Sequence, residues 1–168
     1  MTTSSSTGPA RAATRERIEE LSEGNAFYLE ELVREAAQGG EVGRSEGVLS
    51  MVQGRIDALG SDAHATVLRA AVMGPVFHRG ALEAMLPASA VAAGLAELRR
   101  SELAAPRASS RFSDDEEWIV RSELVTAAAY RTLAEPDRVH AHARVGHWLV
   151  AVGETELLAI AEHFVRGR

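Results

Sequence analysis

The sequence predicts a mainly α protein with one small β-hairpin. Apolar residues recur every three to four positions along most of the chain, the spacing of one helix face. Turn-forming pairs punctuate those stretches at Gly24-Asn25, Gly39-Gly40, Gly60-Ser61 and Gly74-Pro75. Only residues 104–122 depart from the helical spacing, with two short extended runs around an acidic turn. Abundant alanine, with aromatics at only 5%, suits helices packed closely through small side chains.

Residues 1–10 are Ser/Thr-rich and contain Gly8-Pro9; with the next three they form a predicted disordered leader, 1–13. A short charged helix follows over 14–22, with Ile18 and Leu21 as its apolar contacts. Gly24-Asn25 breaks it, and Asn25 is placed to cap the next helix, 25–38. Leu29, Leu32, Val33 and Ala36 fall on one face of that helix, and Glu30 and Arg34 stand at i,i+4. A linker of Gly, Glu, Arg and Ser spans 39–47.

From Val48 the pattern restarts. Leu49, Val52, Ile56 and Leu59 share a face, and Gly60-Ser61 ends the helix. Ser61 or Asp62 caps the following one, which turns Ala65, Leu68, Ala71 and Val72 inward. Val76-Phe77 is a short extended piece. Gly80–Leu86 is a helix closed by Pro87, and Ser89–Leu103 is another with Val91, Leu95, Leu98 and Leu103 inward. Ala104-Ala105-Pro106 then leads into Arg111-Phe112-Ser113, the acids Asp114 to Glu117 make a tight turn, and Trp118-Ile119-Val120 returns. Helices followed by a hairpin have the layout of a winged helix. Helix resumes over 123–133, Pro136 interrupts it, and further helices run over 137–152 and from Glu154 onward.

Charge and composition exclude several functions. The formal net charge of −6 opposes broad binding to nucleic acid or anionic membrane, which needs a basic footprint. With no cysteine, disulfide and thiolate chemistry are absent. No apolar run is long enough for a membrane span, and Met1 to Pro9 lacks the apolar centre of a secretory signal. A cytoplasmic location is the expectation.

Four segments resemble elements of STAND-type AAA+ ATPases of bacteria, multidomain signalling proteins linked to protein kinase, cyclase or helix-turn-helix output domains. Gly24 to Val33 resembles the GNPF-x-LEEL element of the lid. Val48 to Leu59 resembles the linker helix VxxLVxxRLDAL, and Leu68 to Phe77 resembles LLRAAAVLGRxF. Trp118 to Leu133 resembles yxFRHxLVRDAAYxSL, the segment after the wing. The likeness covers residues 14–165. It implies a helical lid remnant over 14–47, a winged-helix domain over 48–135, and the first helices of an α-solenoid, TPR-like, over 136–168. It places Gly24, Asn25 and Ala26 on the adenine side of a nucleotide held by a P-loop domain. It places Arg121 and Ser122 at the position of the phosphate sensor. Two residues differ from the pattern: Ala26 stands for a proline, and Ser122 for the sensor histidine. Serine donates one hydrogen bond but carries no charge.

The other half of such an ATPase is missing from these residues. Nothing reads as G-x-x-x-x-G-K-[ST], and all basic residues are arginine. A P-loop works by wrapping backbone N–H groups and a lysine around phosphates. The expected function is therefore regulatory and non-catalytic: coupling the nucleotide state of a separate P-loop domain to signal transduction or transcription regulation. No cofactor is expected in this chain, ATP or ADP with Mg belonging to the parent ATPase. The expected partners are the P-loop domain and a helical-repeat sensor domain. The alternative is a stand-alone winged-helix DNA-binding transcription regulator.

Remaining candidates have plainer explanations. His140 and His142 are two apart and point different ways on a helix; His140 and His147 share a face but lie two turns apart. No metal site is expected, and the histidines read as a polar helix surface. Asp114 to Glu117 read as a solvated hairpin tip. Ser22, Ser109 and Ser110 have no local histidine or nucleophile elbow, so no catalytic residue is assigned. Arg99-Arg100 ends the would-be recognition helix, offset by Glu97 and Glu102 and suited to the negative end of the helix dipole.

Overall fold

The structure, a computed structural model, describes residues 8–22, 24, 26–37 and 46–168. The protein is mainly helical, with one small antiparallel sheet of three strands. In chain order the elements are α1 (Gly8–Ser22), α2 (Ala26–Ala37), α3 (Glu46–Asp57), α4 (Ser61–Ala70), β1 (Val76–His78), α5 (Arg79–Glu83), α6 (Ala88–Arg100), β2 (Ala104–Pro106), β3 (Glu117–Val120), α7 (Glu123–Thr132), α8 (Glu135–Ala151) and α9 (Leu157–Arg166). They divide into two compact units, residues 1–52 and 53–168.

In the first unit α1 packs on α2. Helix begins at Gly8, well inside the expected leader, because an alanine-rich run propagates helix and Pro9 is tolerated in a first turn. Gly24 links α1 to α2 with φ of 77°, a left-handed turn that suits glycine. The expected cap Asn25 lies outside the described residues. The buried side of α2 is Tyr28 and Leu32, one turn apart, while Leu29 and Val33 are exposed. The expected face is thus rotated by one residue.

The second unit is centred on the close packing of α4 against α6. Gly94 permits it, since a Cβ there would lie 2.7 Å from the Asp62 carbonyl oxygen. Neither Ser61 nor Asp62 caps α4. Gly60 is the N-cap, and its N–H donates to Glu97 of α6 at 2.9 Å. No side chain caps the first turn of α4; the distant Glu97 carboxylate satisfies only the N–H of the cap residue itself.

The sheet order is β1-β3-β2, with both pairings antiparallel and Phe77 opposite Trp118 and Ala105 opposite Ile119. Arg111-Phe112-Ser113 is not a strand; β2 ends at Pro106, which fits an edge strand lacking one donor. The Val76-Phe77 piece pairs with β3, so the hairpin gains a third strand. Leu103 lies beyond α6, past a turn in which Glu102 has φ of 58°, yet it is buried as expected. Phe77, Leu82, Val91, Leu98, Val125 and Val145 have almost no exposure and form the core.

Pro136 does not interrupt a helix. It stands in the first turn of α8, where its missing N–H costs nothing. After Gly153 turns the chain with φ of 77°, α9 packs on α8. No residue of α9 is buried, and Leu157, Leu158 and Val165 face outward. No helix among the described residues is long and apolar enough to cross a membrane.

Candidate functional site

The residues assigned to nucleotide contact fall in both units. Gly24 is exposed and turns the chain into α2, whose first residue is Ala26. Arg121 and Ser122 follow β3. The Arg121 backbone N–H donates to the Leu103 carbonyl at 2.9 Å, and its side chain is exposed. Ser122 is the N-cap residue of α7, but its hydroxyl makes no capping bond. It is buried and has no hydrogen-bond partner among the described residues. Of this pair, Arg121 is the side chain presented to the outside.

A polar cluster lies where β1, β3 and α5 meet the loop 107–116. His78 and Glu117 are cross-strand neighbours. Burial of Glu117 is compensated by two donors, the guanidinium of Arg107 and the Arg111 backbone N–H at 2.9 Å. Asp115 reaches the start of α5, where the Gly80 N–H donates to Oδ1 at 2.9 Å and Oδ2 at 3.1 Å. Arg79 bridges Glu83 at 2.7 Å and Glu116 at 3.0 Å. Only Asp114 and Glu116 of the acidic run are exposed. The solvated tip expected from sequence is instead a loop stapled to α5 and β3, because alternate acids turn inward to meet donors.

The His78 ring is held between Phe112 and Trp148, at centroid distances of 5.0 and 5.2 Å. Its Nδ1 lies 3.8 Å from Asp115 and its Nε2 3.7 Å from Glu117, neither a hydrogen bond. Burial pushes the pKa of His78 down and outweighs the opposite pull of Glu117 and Asp115. Beside it Arg111 pairs with Glu154 at 2.6 Å, under a hollow of about 530 Å³.

A second cleft, of about 440 Å³, opens between α7, α8, α9 and residues 71–75. Its floor is a hydrogen-bonded chain: the Tyr130 hydroxyl lies 3.0 Å from His142 Nε2, and His142 Nδ1 lies 3.0 Å from His163 Nδ1. His140 and His147 are exposed on α8, as a polar surface requires, but His142 is buried. The two-residue spacing that separates His142 from His140 is also what turns it inward. Burial first, then the neighbouring His163 and Arg166, push His142 down to about 4. Burial lowers His163 as well. Tyr130 and His163 were not marked by any spacing, since their partnership joins three helices.

Chemically the two clusters hold positions and protons. The Ser110 hydroxyl accepts from the Phe112 N–H at 3.2 Å, and the Ser22 hydroxyl donates to the Glu19 carbonyl at 3.0 Å. No group of three His, Asp or Glu residues suited to a metal occurs among the described residues. Arg99 and Arg100 are exposed at the end of α6, and Glu97 is turned away to Gly60. No protein-family model matches the chain, and comparisons with curated proteins and with solved structures likewise give no match.

Proposed function

We propose that this chain is a regulatory, non-catalytic module of a STAND-type ATPase. In this reading lid-like helices and a winged-helix domain, followed by the first helices of a repeat array, couple the nucleotide state of a P-loop domain to signalling or transcription output. One observation carries the winged-helix part. Residues 61–120 run helix, strand, two helices, strand, strand, and β3 inserts between β1 and β2. In this reading α6 is the counterpart of a recognition helix and 107–116 the counterpart of the wing.

The surface chemistry favours a protein partner over DNA. The exposed positions along α6 include Ala92, Ala93 and Ala96, and its two exposed arginines stand together at one end. A DNA-reading helix presents donors and acceptors along its length. Asp114 and Glu116 on the wing would repel a phosphate backbone. The sequence has no lysine and no P-loop motif. Nucleotide with Mg is assigned to the partner domain, and Arg121 is the side chain best placed to approach its phosphates.

The reading is tested in three steps. Purified chain should release no phosphate from ATP in a malachite-green assay. Labelled duplex DNA should not shift in a gel at either low or high salt. The DNA just upstream of Met1 should encode an in-frame P-loop, and that domain's nucleotide exchange should respond to the added chain but not to its Arg121→Ala variant. A salt-sensitive gel shift would favour the stand-alone transcription regulator instead, and steady ATP turnover would overturn both.

A further inference from the structure

We propose that the α8–α9 contact is a proton-operated latch: His142 and His163 keep α9 closed on α8 while both rings are neutral, and release it when the pair takes up protons. The inference stands apart from the ATPase reading.

The contact is close, and the Phe164 ring of α9 also meets His147 of α8 at 5.1 Å. A Cβ at Gly167 would lie 2.6 Å from the Ala143 backbone nitrogen, and one at Gly146 would lie 3.2 Å from the Phe164 ring. No α9 residue is buried, and Leu158 on its outer side is 74% exposed. A helix with no buried residue opens locally at lower free-energy cost than the core, so a polar contact weighs in its closure. That contact is the Nδ1-to-Nδ1 hydrogen bond of 3.0 Å between His142 and His163. It requires one protonated nitrogen and one lone pair. A first proton leaves it intact, since an imidazolium Nδ1–H still donates to a neutral ring; protonation of both rings places two N–H groups head to head, abolishes the bond, and sets two positive charges against each other.

The surroundings do not absorb that charge. From α7 the Tyr130 hydroxyl meets His142, and Glu123 also lines the cleft. Arg138 on α8 and Arg166 on α9 add positive charge; Glu162, paired with Arg166 at 2.7 Å, pulls the other way on both rings, but burial outweighs it. Residues 71–75 contribute no ionisable group. On its other side His163 borders the hollow of His78, where Glu117 and Glu154 are already paired with Arg107 and Arg111.

The direction of the response follows. Closed, His142 titrates at about 4; open, it returns toward its ordinary value near 6.5. The open form therefore binds more protons between those values. Closure is complete above about 6.5 and weakens as pH falls, by up to about tenfold in the open-to-closed ratio per pH unit for each extra proton bound.

Hydrogen exchange on the whole chain tests this. Protection of residues 157–166, corrected for intrinsic exchange, should fall by up to about tenfold per pH unit below about pH 6, and at every pH should stay below that of α4 and α6, which exchange by global unfolding. In the His142→Phe/His163→Leu double variant the α9 protection should be flat with pH. Wild-type α9 protection that is flat with pH, or equal to that of α4 and α6, overturns the latch, as does an equal fall in the double variant. Should that variant not fold, ring NMR of the wild type decides. Loss of α9 amide protection in step with protonation of His142 and His163 supports the latch; titration of both rings with α9 still protected overturns it.

Discussion

Glu117 is a buried acid whose charge is accommodated by donors supplied from one side of the loop 107–116. Replacing it with Gln keeps the volume but weakens two charge-assisted bonds, and Arg107 remains partly in water. The expected loss is about 1.5–3 kcal/mol, read as a lower urea midpoint. Gly94 acts through space alone: Gly94→Ala drives a Cβ into Asp62 and Thr66 of α4. That overpacking should cost about 1–3 kcal/mol in the same assay. Ser122 predicts the opposite sign. Its hydroxyl is buried without a partner among the described residues, so Ser122→Ala removes a desolvated group and loses no bond. Stability should hold or rise, by up to about 1 kcal/mol. At this scale the sequence told core from surface well, as at Val52, Ile56, Leu68, Val91, Leu95 and Leu98, all buried as expected. It did not reveal Glu117 or His142, because whether a polar side chain is buried depends on partners far away in the chain.

Helices were legible where apolar spacing and turn residues agreed. The spans of α4 and α6 match their expected positions within a few residues. Starts and stops were less legible. The N-cap of α4 is Gly60, whose N–H is taken by Glu97, and α9 begins only after the Glu154 carboxylate has accepted the N–H groups of Thr155 and Glu156, each at 2.7 Å. The hairpin was found, but its first strand was placed too late, because Arg111-Phe112-Ser113 has an extended look while Ala104-Ala105-Pro106 has little strand propensity. What makes 104–106 a strand is pairing with β3, a tertiary cause. The loop between them behaves as an element through Asp115. Asp115→Ala removes both acceptors for the Gly80 N–H, so the loop should detach. Trypsin should then cut after Arg107 and Arg111 several-fold faster, with mass spectrometry showing no change in cleavage within α4.

Across the whole molecule, acid should be destabilising for a reason separate from local opening of α9. His78, His142 and His163 all have pKa values lowered in the folded protein, with burial as the first cause. The unfolded chain therefore binds more protons as pH falls below about 6.5, and unfolding gains ground. Thermal midpoints should be level above about pH 7 and drop steadily toward pH 5. A flat profile across that range would contradict the burial of all three rings. The proposed coupling function rests on a resemblance spread over four segments. The two histidine clusters carried no sequence signature, because each is assembled from three or more elements.

The order of the sheet has a last consequence, for synthesis. β3 is the middle strand yet emerges last, so β1 and β2 leave the ribosome with no neighbour to pair with. Until residue 120 has been made, Phe77 lacks Trp118 to stack upon, and the nascent polypeptide must carry that ring uncovered or sheltered by helices alone. A stalled translation product ending before Glu117 should hold helices and no ladder, which makes this one short strand the step that closes the fold.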